Sequence, residues 1–335
     1  MTAWRALLAL LANRKQFVRL AAGALAFSIF FVCPQDASSQ TSKTIKLIVP
    51  VPPGGAVDFL ARLLSEQIGR SQGVTIVIES RPGAGGRIAT EAVARLAPDS
   101  ATLLMTYPSL VIDPHVRKVS YQPLTSFEPI CSLVEAPNVI VVNSAAPYRS
   151  LGQLMDAARS RPGDVTMASI GPASNQHIVI EAVRRGSNVG LTYVPYPGSA
   201  PTVNALLGEH VTSLLAAYSN VSEQISAGKL RPLAVAAPRR IDALPDLPTV
   251  EEAGYKDFEL ENWFGVIAPA KTPKEIAAQM AGWFTAAMQV PDIRAKLIAQ
   301  GLYPVGACGS DFAALLRKQY DDFGRIIREV KIKAE

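Results

Sequence analysis

The sequence predicts an α/β fold of two lobes, each a mostly parallel sheet flanked by helices, with a ligand cleft between them. Three observations predict it. Apolar, β-branched runs alternate with stretches of helical periodicity along almost the whole chain. The turns leading from strand to helix are repeatedly rich in glycine and proline. The chain has 335 residues, and what remains after an N-terminal leader exceeds what one small core usually serves.

The first unit is the most informative. An apolar run from residue 45 breaks at Pro52 and Pro53, turns through Gly54 and Gly55, and enters a helix with Val57, Leu60, Ala61, Leu64 and Ile68 on one face. Such a turn directs unpaired backbone N–H groups and the positive end of the helix dipole at one point, which suits an anion. No Lys-Ser/Thr pair follows the glycines, so the phosphate-cradling P-loop is excluded and a small carboxylate is the expected anion.

A second strand at 74–79 leads into Arg81-Pro-Gly-Ala-Gly-Gly86 and a helix over about 88–96. The dinucleotide fingerprint needs glycine at position 88, which is isoleucine, so this loop reads as a tight structural turn that Arg81 braces. A third strand follows at 102–106, then a long connection to Ile130. Further strands fall at 139–143, 165–168, 191–195, 212–216, 233–236 and 263–269, with helices between them. Ser150 and Gln153 form a capping box for a helix to about 160, and another helix spans 175–185. Thr272, Pro273 and Glu275 supply N-cap, N1 and N3 residues for a helix. Helices over 291–300 and from a Ser310 cap to about 330 close the chain. Lobe one is read as 44–140 plus 255–335, and lobe two as 141–254.

Residues 1–39 read as a secretory signal peptide. Arg14, Lys15 and Arg19 precede an apolar run over 20–32, too short to span a bilayer comfortably, followed by small and polar residues at 36–40. An uncleaved anchor is the alternative. Phe31 and Val32 are poor residues before a lipidated cysteine at Cys33. Four of the 33 basic and one of the 28 acidic residues fall before residue 40, leaving 29 against 27. That balance, with no basic stripe interleaved with aromatics, excludes a nucleic-acid surface. Cys131 and Cys308 are the remaining cysteines. Export permits a disulfide between them, and two buried free thiols fit the sequence equally. No Cys/His spacing resembles a metal site, and no cofactor is expected.

The motifs taken in order resemble the Bug family, the extracytoplasmic solute receptors of tripartite tricarboxylate transporters. They are Leu47-Ile-Val-Pro50 with Pro52-x-Gly-Gly-x-x-Asp58, Glu79-x-Arg-Pro-Gly-Ala-Gly-Gly86, and Val194-Pro-Tyr-x-Gly-Ser-Ala-Pro201. Ala227-Gly-Lys-Leu-Arg231, Leu244-Pro-Asp-x-Pro-Thr-Val250 with Glu252-Ala-Gly254, and Ala268-Pro-Ala-x-Thr-Pro273 complete the series. The resemblance implies a two-lobed periplasmic binding protein that closes on a small carboxylate. It would be exported to the periplasm and deliver its ligand to a membrane permease; a monomer is the default expectation for an oligomeric state that the sequence leaves open. It also implies that the carboxylate rests on the first strand-to-helix loop, here Pro53, Gly54, Gly55 and Asp58.

Other candidates sit at equivalent turns. Tyr107 and Ser109 follow the third strand and either present hydroxyls to the cleft or form an ordinary turn around Pro108. Ser169, Ser174 and Asn175 follow a strand and open a helix, where Ser174 also suits an N-cap. His177 reads first as a packed or capping residue and second as a ligand contact. Tyr196, Gly198 and Ser199 form a third such turn, with Tyr196 as an aromatic wall. Two positions depart from the family pattern. Ala216 stands where many relatives carry aspartate, and Pro197 replaces the commoner lysine or glycine, which points to a ligand less polar than a tricarboxylate.

The competing readings are an exported hydrolase of small carboxylates or esters, and an orphan receptor that serves sensing. No Gly-x-Ser-x-Gly elbow occurs, because Ser174 lacks the following glycine. A site of neutral donors suits reversible capture, so the sequence is read as a receptor and not an enzyme.

Overall fold

The computed structural model of the chain describes residues 44–98, 101–171, 174–255, 262–330 and 332. The leader read at 1–39, with Cys33, lies outside them. Strand β1 (Thr44–Val49) is followed by α1 (Ala56–Gln72), β2 (Thr75–Ser80), α2 (Arg87–Ala94), β3 (Thr102–Thr106), α3 (Ser109–Val116) and β4 (Phe127–Glu135). Then come β5 (Asn138–Asn143), α4 (Leu151–Ser160), β6 (Thr166–Ile170), α5 (Asn175–Gly186), β7 (Thr192–Tyr196), α6 (Ser199–Leu207), β8 (Ser213–Ala217), α7 (Ser222–Ser226) and β9 (Leu230–Ala236). The chain closes with β10 (Trp263–Pro269), α8 (Lys274–Gln289), α9 (Pro291–Ala299), β11 (Tyr303–Cys308) and α10 (Ser310–Val330). Among the described residues, no helix is long and apolar enough to cross a membrane.

The strands form a six-stranded sheet, in the order β11-β4-β10-β3-β1-β2, and a five-stranded sheet, β7-β6-β8-β5-β9. In the first, β1, β2 and β3 are parallel, β10 runs antiparallel between β3 and β4, and β11 pairs antiparallel with β4. The carboxyl ends of β1 to β4 therefore share one edge. In the second, β6, β7 and β8 are parallel and β5 runs antiparallel between β8 and β9. Asn138 at the start of β5 sits opposite both Ala217 and Ala236, so the carboxyl ends of β8 and β9 meet it. Residues 136 and 137 alone link β4 to β5. Each sheet is mostly parallel in strand direction, as expected, while β5, β10 and β11 run against their neighbours. Strand direction is set by long-range connection, which a local pattern does not carry.

Side-chain alternation explains the layers. Ile45, Leu47 and Val49 pack with Leu60, Leu64 and Ile68 of α1 and with Met280 and Phe284 of α8. The five residues predicted for the inner face of α1 are all buried. Ile48 points the other way, into a cluster with Val93 of α2 and Phe312 and Phe323 of α10. That cluster continues through Ile178 of α5 to Ile140 and Met167 of the second sheet, so α10 and α5 carry one apolar core across both sheets. The far face of the second sheet packs Val139, Val141 and Ala168 against Val203 and Leu206 of α6.

Several local expectations are corrected. The long connection after β3 contains α3, and β11 was not anticipated. Helix α8 starts at Lys274 with Pro273 as its N-cap, while the Thr272 hydroxyl donates to the Pro269 carbonyl at 2.8 Å. Ser310 begins α10 instead of capping it. The structure also decides between the cysteine alternatives: Cys131 and Cys308 face each other across β4 and β11 and are joined as a disulfide.

Two glycines test the packing. A Cβ on Gly265 of β10 would stand 2.7 Å from the Cys131 carbonyl oxygen and 2.8 Å from the Phe312 ring. Gly265→Ala is expected to destabilise the fold by about 1–3 kcal/mol through overpacking. Gly282, inside α8, has nothing within 4 Å of that position. Gly282→Ala is expected to stabilise by about 0.5–1 kcal/mol, because alanine loses less backbone entropy in a helix. Urea unfolding of both variants checks the pair, and equal effects would contradict the packing described.

Candidate functional site

Three helix-opening turns line the shared edge of the first sheet. Gly55 is the N-cap of α1, and Gly54 holds φ at +93°, a conformation that favours glycine. The Gly54 N–H donates to Asp58 Oδ2 at 3.0 Å, and Arg62 Nε donates to the same oxygen at 2.9 Å. Asp58 is 3% exposed. Burial pushes its carboxyl up, but the Arg62 and Gly54 hydrogen bonds and the Arg62 charge together hold it below the usual carboxylate range. Asp58 is thus an ionised brace that closes the loop, with its Oδ1 buried and without a hydrogen-bond partner among the described residues. Pro53, Gly54 and Gly55 are exposed. The N–H groups of the first turn of α1 have no intrahelical acceptor there.

The second turn reads from sequence as structural first and as a rim of the site second, and its side chains brace one another. Arg81 and Lys46 both pair with Glu79, whose carboxyl the Arg81 hydrogen bond chiefly holds below its ordinary range. Tyr107 closes this turn: its hydroxyl donates to the Gly85 carbonyl at 2.8 Å. A Cβ on Gly86 would meet that hydroxyl at 2.5 Å, so close approach excludes a side chain at this position. Burial pushes the Tyr107 hydroxyl up to about 12, with Ser109 hydrogen-bonded beside it. Ser109 is the first residue of α3.

The matching edge of the second sheet presents two more turns. Ser174 is the N-cap of α5: its hydroxyl accepts from the His177 N–H at 3.1 Å and donates to the Ile170 carbonyl at 2.6 Å. The His177 ring stacks on Tyr193 with centroids 4.0 Å apart, and burial lowers its affinity for a proton. Asn175 is buried, and its Oδ1 accepts from Asn138 Nδ2 at 3.0 Å. Ser169 is fully buried in β6, and its hydroxyl donates to the Ile170 carbonyl at 3.3 Å. Tyr196 ends β7 half-buried, and its carbonyl accepts from the Gly171 N–H. Gly198 is the N-cap of α6, and the Ser199 hydroxyl accepts from Asn220 Nδ2 at 3.1 Å. Pro197 is exposed on this turn, whereas Ala216 is buried in the apolar cluster around Val139.

Thus Pro53, Gly54, Gly55, Tyr107 and Ser109 gather at one strand edge, and Ser174, Asn175, Tyr196, Gly198 and Ser199 at the other. Asp58, Ser169 and His177 stand behind these turns with their polar groups engaged or stacked. Sequence reasoning missed the residues at the link between the sheets. Asn262 and Ala136 exchange two hydrogen bonds there, of 2.8 and 2.9 Å. Asn138 is fully buried and bonds both Asn175 and Gln176. A polar residue heading the apolar run Val139-Ile-Val-Val142 was the available signal. Cavities of about 360 Å³ beside Lys46 and Leu96 and about 450 Å³ beside Pro232 and Leu244 lie away from these turns.

Residues 60–332 match the family profile described as "Tripartite tricarboxylate transporter family receptor". The protein BugT of Bordetella pertussis is 31% identical over 303 residues, 90% of this chain and 93% of BugT. The structure of the periplasmic binding protein BugD superposes with a TM-score of 0.78 at 30% identity, covering 87% of this chain and 99% of BugD. Rpa4515 of R. palustris, solved with adipate, gives 0.81 at 29% identity, covering 88% and 99%. MatC of Rhodopseudomonas palustris, solved with malate, gives 0.74 at 27% identity, covering 85% and 98%.

Proposed function

Because the chain belongs to the tripartite tricarboxylate transporter receptor family, we propose that it is a periplasmic receptor that captures one small carboxylate by closing two lobes on it. One observation carries this reading. Helix-opening turns stand at the carboxyl edges of both sheets, and one of the two chain crossings between these sheets, from β4 to β5, is only two residues long. The lobes are the two sheets with their helices, and because Asn138, Val139 and Ile140 pair within the second sheet, the first boundary falls before Asn138 and not at 140 as read from the sequence. That β5 pairs wholly within the second sheet supports a hinge that includes residues 136 and 137.

The carboxylate docks on Pro53, Gly54 and Gly55, which Asp58 holds in shape, with Tyr107 and Ser109 alongside. Closure brings Ser174, Asn175, Tyr196, Gly198 and Ser199 to its other side, with Ser169 and His177 as support. Expelling water strengthens each hydrogen bond to the anion. The donors are backbone amides and neutral side chains, which suits reversible capture, and the protein is not an enzyme. The Ser174 hydroxyl already donates to a carbonyl and caps a helix, and His177 stacks on a ring, which favours binding over nucleophilic chemistry. The protein is exported by its leader, acts as a monomer, and hands its ligand to a membrane permease. The malate and adipate in MatC and Rpa4515 support a carboxylate.

Thermal unfolding with mono-, di- and tricarboxylates and their carboxamides tests this. A carboxylate at one hundred times its Kd is expected to add about 2.7 kcal/mol, raising the midpoint by several degrees. Shifts by carboxamides alone would reject the reading.

A further inference from the structure

Resting on that receptor reading, we infer that Asn138, at the hinge, is a positioning residue that fixes the Asn175 carboxamide with its N–H side toward the carboxylate. Three amides form a chain with one direction. Gln176 Nε2 donates to Asn138 Oδ1 at 3.2 Å, and Asn138 Nδ2 donates to Asn175 Oδ1 at 3.0 Å. Asn175 Nδ2 ends the chain, buried and without a hydrogen-bond partner among the described residues. Asn138 is 0% exposed and Asn175 5%. With the Asn175 oxygen accepting from Asn138, the other end of its carboxamide is a donor. A buried donor left unpaired is costly and waits for an acceptor.

The acceptor is defined by the surroundings. Asn175 is the first residue of α5, where Ser174 satisfies the N–H of His177 and its carbonyl that of Ile178. The N–H groups of Asn175 and Gln176 have no intrahelical acceptor. The Asn175 side chain therefore adds a third donor to the positive end of a helix of 12 residues. Three donors with no acceptor among them suit a carboxylate oxygen. The hinge contributes through Asn138, which is placed by its pairing with Ala217 and Ala236. Ligand orientation and lobe linkage thus share one side chain.

Two substitutions invert the end of the chain. Asn175→Asp replaces the free N–H side by an oxygen while keeping the acceptor for Asn138. An aspartate in a first helical turn is favourable to the helix, so the fold is retained. In Asn138→Asp, the carboxylate accepts from both neighbours, and Asn175 turns its oxygen outward. The protein purified after export is titrated calorimetrically with acetate, adipate, malate and citrate and with the carboxamide of the tightest binder. Each variant is expected to lose about 10- to 100-fold in affinity for that carboxylate. Affinity for its carboxamide should change far less. Unchanged carboxylate affinity in either variant overturns the inference. So does a parallel loss for carboxylate and carboxamide, which marks a merely structural role. Absence of binding of all four carboxylates to the unaltered protein overturns the receptor reading, and this inference with it.

Discussion

Reduction of the Cys131–Cys308 disulfide is expected to lower the unfolding midpoint by several to about 15 °C. The bridge spans 177 residues of sequence. Opening it returns the unfolded chain the entropy of a very long loop, and typical losses are about 2–5 kcal/mol. The native side loses an anchor as well. Cys308 ends the edge strand β11, and the next residue, Gly309, donates to the Ile130 carbonyl at 2.9 Å as α10 begins. Helix α10 carries the apolar core from the first sheet to α5, so releasing its start loosens both lobes together. Thermal unfolding with and without a phosphine reductant measures this. An unchanged midpoint, with full reduction shown by thiol labelling, would contradict it. An oxidising compartment suits such a bond.

Asp58→Ala is expected to destabilise the protein by about 1–3 kcal/mol at neutral pH, and by less near pH 3. The substitution leaves the Gly54 N–H without its acceptor and removes a negative charge from the first turn of α1. The pH dependence follows from the sign of the shift. The carboxyl sits below its ordinary range in the folded protein, so the unfolded chain binds the proton more readily. Its contribution is complete above the unfolded value of about 3.9 and is lost as pH falls through the lower folded value. Arg62 is half exposed, so solvent screening trims the ion-pair share of that contribution. Urea unfolding of both proteins at pH 7 and pH 3 checks the prediction. A difference that stays constant between the two would contradict it.

Much of the fold was legible because its signals are local. The inner face of α1 is a five-residue apolar stripe at helical spacing, and β3 and β10 are bounded by turn residues. Helix α3 was not legible for the converse reason. Leu110, Val111, Ile112 and Asp113 are consecutive and all buried, which erases the amphipathic stripe, and Pro114 lies inside the helix. Strand β11 was hidden by Pro304 and Gly306, and its pairing with β4 is irregular between Pro304 and Ala307. The reversed strands β5, β10 and β11 depend on connections that no window of sequence contains.

The site divides in the same way. The glycine turn at 54–55 and the Ser174 cap were readable because their partners are three or four residues away. The use of Asp58 as an internal brace was not. It needs the left-handed Gly54 to bring that N–H back onto the carboxylate. Asn138 was invisible as a functional residue because its partner Asn175 is 37 positions along the chain.

The most direct test of the receptor account is a titration of the protein with the carboxylate that shifts its unfolding most, followed by recovery of the released compound for NMR. The account predicts one site per chain and a compound recovered unchanged after prolonged incubation. Progressive conversion of the compound at a rate proportional to protein would contradict it and identify an enzyme.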